Sequence, residues 1–246
     1  MALVAVFYAW VVSAGRMARW PTYGTYYDQL ADAFLLGQTS LPLEPDPRLL
    51  ALPDPYEPGA NASVRLHDAL LYRGQYYLYW GPVPGALLAG GKLLFARDLT
   101  TVVGDQYLAF WFAVGTAAAA AALLWRARLR LFPGQSHRAV GLGVVVVGLA
   151  GPVPYTLARA SVYEAAILGG QCFLVAGVYA AYRGLFPADR GDRTPSPGVP
   201  GPPGQRTVPS PAWLTVAGAC WAAAVGCRLS LAPAVAALGL LAVGKL

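Results

Sequence analysis

Charge is what this sequence has least of. Asp, Glu, Lys and Arg make up 12% of its 246 residues, against roughly 25% in a soluble globular domain. With 57% hydrophobic residues and a mean hydropathy of +0.47, the chain cannot clothe a water-exposed surface, and a bilayer has to replace part of the solvent. Lysine is nearly missing: Lys92 and Lys245 are the only two among 18 basic residues. Histidine is confined to His67 and His137, and the 3 cysteines, Cys172, Cys220 and Cys227, sit inside apolar runs. No CxxC or Cys/His spacing occurs, which excludes a zinc ligand set and a disulfide framework and leaves these cysteines as small packing residues.

Other absences narrow the function. No GxGxxG after a strand, Walker loop, HExxH, GxSxG or EF-hand pattern is present, which excludes the soluble nucleotide-dependent enzymes that carry them. The net charge of +6 falls in short arginine clusters between apolar runs, a pattern of membrane topology rather than of nucleic-acid binding. The excess of arginine over lysine, with abundant Ala, Gly and Pro, points to a bacterial chain, so a multi-pass protein of the bacterial inner membrane is expected.

Apolar runs at 1-15, 102-125, 139-157, 162-182, 211-227 and 231-246 read as six membrane spans, the first of them short for the roughly 20 residues a crossing needs. The fold class expected is therefore all-α and polytopic, with a long first outer loop at 16-101 that carries juxtamembrane amphipathic helices. Arg126, Arg128, Arg130 and Arg138 form the densest basic loop and belong on the cytoplasmic side. The loop at 183-210 is basic, Pro/Gly-rich and expected to be disordered there. The apolar run at 85-96 is read as juxtamembrane, because a full crossing would put both basic loops outside. The chain stops within an apolar run at Leu246, so a truncated chain is also expected.

Polar chemistry is concentrated in the stretch from Tyr23 to Pro84. Nine of the 12 acidic residues lie between Asp28 and Asp105. From Thr25 to Gly37, Tyr26, Leu30, Ala33 and Phe34 recur at helical spacing with Asp28, Gln29 and Asp32 between them, which predicts an amphipathic helix capped by Thr25 and stopped by Gly37. Six prolines between Ser40 and Pro58 forbid a long helix and predict an irregular packed loop. Arg73-Gly74 predicts a turn, and Tyr76, Tyr77, Tyr79 and Trp80 an interfacial aromatic belt.

The topology places Asp28, His67, Asp68, Arg159 and Glu164 at the outer face. An acid at the mouth of a span is costly without a partner, so Glu164 reads either as a site residue or as a salt bridge to Arg159. Asp28 and Asp32, one helical turn apart, read either as site acids or as a solvated helix face. Arg228, between two spans, either binds an anionic headgroup or snorkels to the interface.

The helix Tyr27-Asp28-Gln29-Leu30-Ala31-Asp32-Ala33 after a single first span, with a loop closing on Tyr79-Trp80-Gly81-Pro82-Val83-Pro84, resembles the GT-C membrane glycosyltransferases. The likeness is to the branch of bacterial aminoarabinose and lipopolysaccharide-core transferases and protein O-mannosyltransferases. The resemblance implies a polyprenyl-phosphate sugar as donor and a glycan, lipid or protein as acceptor. It implies Asp28 as the first catalytic acid and Glu164 as the second, able to share a divalent cation. Asp32, His67, Asp68, Arg73, Tyr79, Trp80, Arg159, Tyr163 and Arg228 are the candidate substrate-binding residues, the arginines facing the phosphate. The lysine usual beside the closing prolines is replaced by Trp80-Gly81. A transporter, for which Asp105 is the sole support, a non-catalytic scaffold and an inert fragment are the alternatives.

Overall fold

A computed structural model of the chain describes residues 1–96, 101–186 and 208–245. It is mostly helical. α1 (Ala2–Val12) leads to α2 (Tyr26–Leu35), two short helices α3 (Pro47–Leu50) and α4 (Pro58–Asn61), a hairpin of β1 (Leu70–Tyr72) and β2 (Gln75–Tyr77), and α5 (Val83–Gly91), which continues as a π turn over Lys92–Ala96. Then come α6 (Asp105–Leu131), α7 (His137–Ala150), α8 (Val153–Ala158), α9 (Val162–Leu185), α10 (Pro211–Cys227) and α11 (Ala232–Val243).

Two of these, α6 and α9, are long and apolar enough to cross a membrane. The apolar runs suggested six such segments, but α1, α7, α10 and α11 are each shorter than a full span. Backbone chemistry accounts for part of the difference. The run at 139-157 breaks at Gly151-Pro152, where a proline opens α8, because a ring without an N–H cannot continue the preceding ladder. The segment Val83–Phe95 is likewise below the length a crossing requires. The disordered loop expected at 183-210 lies for the most part at 187–207, outside the described residues.

The fold is not all-α. Leu70 pairs with Tyr77, Leu71 with Tyr76 and Tyr72 with Gln75, joined by Arg73 and Gly74 at φ +50° and +74°. Positive φ at both central residues makes the tight two-residue turn whose twist matches an antiparallel pair, and glycine takes the second place without steric cost. The hairpin is anchored: Tyr76 is buried, and its carbonyl accepts the Leu41 N–H at 2.8 Å. The proline-rich loop is irregular and packed, with Leu41 and Leu49 buried and Pro47 and Pro58 opening α3 and α4, the one helical position where a missing N–H costs nothing.

α2 begins after Thr25, whose hydroxyl makes no capping bond to the backbone. The cap comes from elsewhere. Asp105, the first residue of α6, accepts the Tyr26 N–H at 3.2 Å and the Tyr27 N–H at 3.1 Å, and its own N–H donates to the Gly24 carbonyl at 3.0 Å. These are donors that a helix start leaves open. One carboxylate therefore joins α2 to α6. Gly37, at φ +75°, follows the end of α2, as the spacing predicted.

α6 and α9 run in the same direction. Their first turns carry Asp105 and Glu164, and their last turns carry Arg128, Arg130 and Arg183. At the arginine end Arg130 lies 4.3 Å from the Phe186 ring centroid, and Arg183 lies 4.0 Å from that of Trp213 near the start of α10. α10 returns to the acidic end, where a Cβ placed on Gly81 would fall onto the Gly226 carbonyl and 2.6 Å from the Cys227 carbonyl.

That contact is backbone against backbone, and neither side can yield. Gly81→Ala is expected to lower stability by roughly 2 kcal/mol, whereas Gly59→Ala, with nothing near its added methyl, is expected to be neutral. Thermal melts of the two purified variants in detergent check this.

Candidate functional site

Two polar constellations occupy the acidic end. The first is buried. Lys92 extends from the π turn after α5 and places Nζ 2.7 Å from Asp28 Oδ1 and 2.6 Å from Asp32 Oδ1, with its side chain 2% exposed. Asp28 Oδ1 also accepts the Val103 N–H at 3.0 Å. Burial alone would lower the Lys92 pKa; the hydrogen bonds and charges of Asp28 and Asp32 outweigh it, and the ammonium is held above its ordinary value. Asp28 and Asp32 are therefore neither a solvated face nor free carboxylates. Much of α2 is covered, with Tyr27, Asp28, Leu30, Ala31 and Ala33 all buried, because α5 and α6 both pack against it.

The second constellation is an open cavity of about 590 Å³ built from three distant segments. Tyr23 and Tyr26 come from the start of α2. His67, Asp68, Tyr79 and Trp80 come from the two ends of the hairpin, and Arg159, Ser161, Val162, Tyr163 and Glu164 from the α8–α9 turn. The Tyr79 and Trp80 rings lie 4.5 Å apart, and Trp80 meets Tyr163 edge-on at 5.1 Å. Tyr79 donates its hydroxyl to Asp68 Oδ1 at 2.9 Å, and His67 Nε2 stands 3.7 Å from Asp68 Oδ2. Burial, the Asp68 hydrogen bond and the Asp68 charge push the Tyr79 phenol up to about 12, so it remains a donor across the neutral range. Tyr26 donates to the His67 carbonyl, which ties the turn to α2.

Glu164 does not pair with Arg159. It turns back on its own helix, accepting the Ser161 N–H at 3.2 Å and the Ser161 hydroxyl in a capping box. Arg228, at the C-cap of α10, packs on the cavity wall with its guanidinium 4.7 Å from the Tyr163 centroid and 5.8 Å from that of Trp80. It donates to the Tyr163 hydroxyl at 3.2 Å and to Ser230 at 3.1 Å. Its Nη1 and the Trp80 Nε1 are buried donors without a partner among the described residues.

Of the residues singled out from the sequence, His67, Asp68, Tyr79, Trp80, Arg159, Tyr163 and Glu164 line one cavity, with Arg228 stacked on it. Asp28 and Asp32 lie apart, on Lys92. The shared pocket expected for Asp28 and Glu164 is thus not formed, because only Glu164 lines the cavity. Arg73 sits exposed at the hairpin tip over the Tyr72 ring at 5.2 Å. Lys92 was missed. Its signal was a lone lysine within an apolar helix, where a charge demands a partner.

A divalent cation between Asp28 and Glu164 does not fit these residues: Asp28 Oδ1 is taken by an ammonium and an amide, and Glu164 is bound to Ser161. Among the described residues no group of three or more His, Cys, Asp and Glu is placed to hold a metal. Compared with known proteins, no family model, no curated protein and no solved structure matches the chain. The class that the chain itself defines is a mostly helical protein with two candidate membrane-spanning helices.

Lys92→Met removes the cation from one buried and one partly buried carboxylate and is expected to cost about 3 kcal/mol or more. The raised Lys92 pKa means that its contribution is fully present below 10.5, the ordinary lysine value, and lost as pH rises through the folded value. Melting curves against pH check both: the alkaline fall in stability should be smaller in Lys92→Met.

Proposed function

We propose that this chain is a multi-pass glycosyltransferase of the bacterial inner membrane, taking a sugar from a polyprenyl-phosphate donor at the outer face in the manner of the GT-C enzymes it resembles. The carrying observation is the cavity, which gathers stacked aromatics, two carboxylates, a histidine and an arginine from three distant segments, with Arg228 from the end of α10 packed against its Tyr163 and Trp80. Aromatic faces suit the apolar faces of a sugar ring. Carboxylates suit its hydroxyls. Arg228, the cation packed against the Trp80 and Tyr163 rings, suits a phosphate.

Orientation supports the same reading. The cavity lies at the acidic starts of α6 and α9, away from the ends that carry Arg128, Arg130 and Arg183. Positive-inside bias puts the arginine end in the cytoplasm and the cavity outside. In this reading all six apolar segments cross, the shorter ones with help from their flanks, and α2 and α5 lie along the outer surface. A donor with its tail in the bilayer then presents its phosphate at the depth of the cavity.

The lock on Asp28 changes one part of the resemblance. Its carboxylate becomes a base only if Lys92 leaves, so the chemistry is assigned to the carboxylates that line the cavity. The same lock is the observation that favours the second reading, a non-catalytic membrane scaffold.

Proteoliposomes containing the full chain, given polyprenyl-phosphate-[14C]mannose or -[14C]glucose, test the proposal. Label is expected to pass to methyl α-mannoside or to water with release of polyprenyl phosphate, and Arg228→Ala is expected to slow this roughly 100-fold. Neither turnover nor saturable donor binding by the wild type would leave the scaffold reading in place.

A further inference from the structure

We infer that Asp68 is the acceptor-side base of the cavity, with Tyr79 as the residue that positions it; the inference rests on the transferase reading above. The hairpin register explains how the two meet. Leu70 faces Tyr77, so extending the same register by two residues on each strand brings Asp68 opposite Tyr79 and onto the same face. The Tyr79 hydroxyl then donates to Asp68 Oδ1 at 2.9 Å.

The backbone at Asp68 is held at φ +58°, a left-handed conformation uncommon outside glycine and kept where the surroundings enforce it. The Tyr26 hydroxyl on the His67 carbonyl supplies part of that enforcement. The carboxylate is thus fixed in direction as well as in place. Oδ1 is engaged, whereas Oδ2 accepts no hydrogen bond from a described residue and has only His67 Nε2 nearby, at 3.7 Å. The groups that face it are His67, Tyr79 and Tyr26 on its own side and Arg159 and Glu164 across the cavity.

The other carboxylates at this end are committed. Asp28 and Asp32 hold Lys92, Asp105 caps α2, and Glu164 caps α9. Asp68 is the cavity carboxylate that caps no helix: Glu164 keeps Oε1 free as well, but its side chain is turned back onto Ser161. In the step assigned to it, the acceptor hydroxyl gives its proton to Oδ2 while its oxygen bonds to the anomeric carbon of the donor. The bond from that carbon to the phosphate oxygen breaks, and the electron pair leaves with polyprenyl phosphate. The proton then passes to solvent, with the exposed His67 ring beside Asp68 as a route.

The test compares Asp68→Asn with wild type in the proteoliposome assay, with methyl α-mannoside as acceptor. Loss of the base is expected to lower kcat by about 100-fold or more and to leave the donor KM within twofold. Tyr79→Phe, which removes one hydroxyl, is expected to lower kcat roughly tenfold at an unchanged donor KM, and decides the matter if Asp68→Asn does not fold. Transfer by either variant at the wild-type rate overturns the role of Asp68 and leaves the transferase reading standing. A wild type that neither binds nor turns over the donor overturns both.

Discussion

The Asp105 carboxylate is the tie on which the outer part of the molecule depends. A helix start exposes N–H groups that must find acceptors, and α2 finds two of them on the first residue of α6 rather than on its own Thr25. A helix with a local cap is free to move relative to its neighbours. One capped by the first residue of another helix is not. Because Tyr26 is held by Asp105 at its N–H and bonds the His67 carbonyl through its hydroxyl, the same tie reaches the turn at Asp68. The cavity is consequently tied to α6 through the start of α2, with the α8–α9 turn and the hairpin as its other walls.

Lys92 is the second fixed point, and magnitudes decide its state. Removing an ammonium from water costs several kcal/mol. Each carboxylate at 2.6 to 2.7 Å returns about 6 kcal/mol at an effective dielectric constant of 20. Two partners outweigh the desolvation, and the charged form wins, in the direction of the Lys92 pKa. With the Val103 N–H on Asp28 as well, the cluster joins α2, the π turn and the approach to α6. It serves as a structural joint, which is why an acid that resembles a catalytic residue in sequence is not open to the cavity.

Much of this was legible in the residues. The spacing of Tyr26, Leu30 and Phe34 located α2, the proline run located the irregular loop, and Arg73-Gly74 located the turn. The strands either side of that turn were missed because Tyr and Leu at alternate positions also read as an interfacial belt. Yet a two-residue turn fixes a register, and from it the meeting of Asp68 with Tyr79 follows by counting. Gathering of the cavity residues was expected from topology. The partners of Asp28, Asp32 and Glu164 were not, because a carboxylate's choice between an adjacent serine, an arginine five residues back and a lysine 60 residues away is made by packing rather than by sequence spacing.

The shared direction of α6 and α9 has an electrostatic consequence. Each long helix carries about half a positive elementary charge at its start and half a negative one at its end. Both positive poles face the end that holds the cavity, and Asp105 and Glu164 sit directly on them. Both negative poles face Arg128, Arg130 and Arg183. The two carboxylates, each a full charge against half a charge, more than offset those positive poles, so the end that holds the cavity gains no pull on anions from its helices and has to find it in side chains such as Arg159 and Arg228.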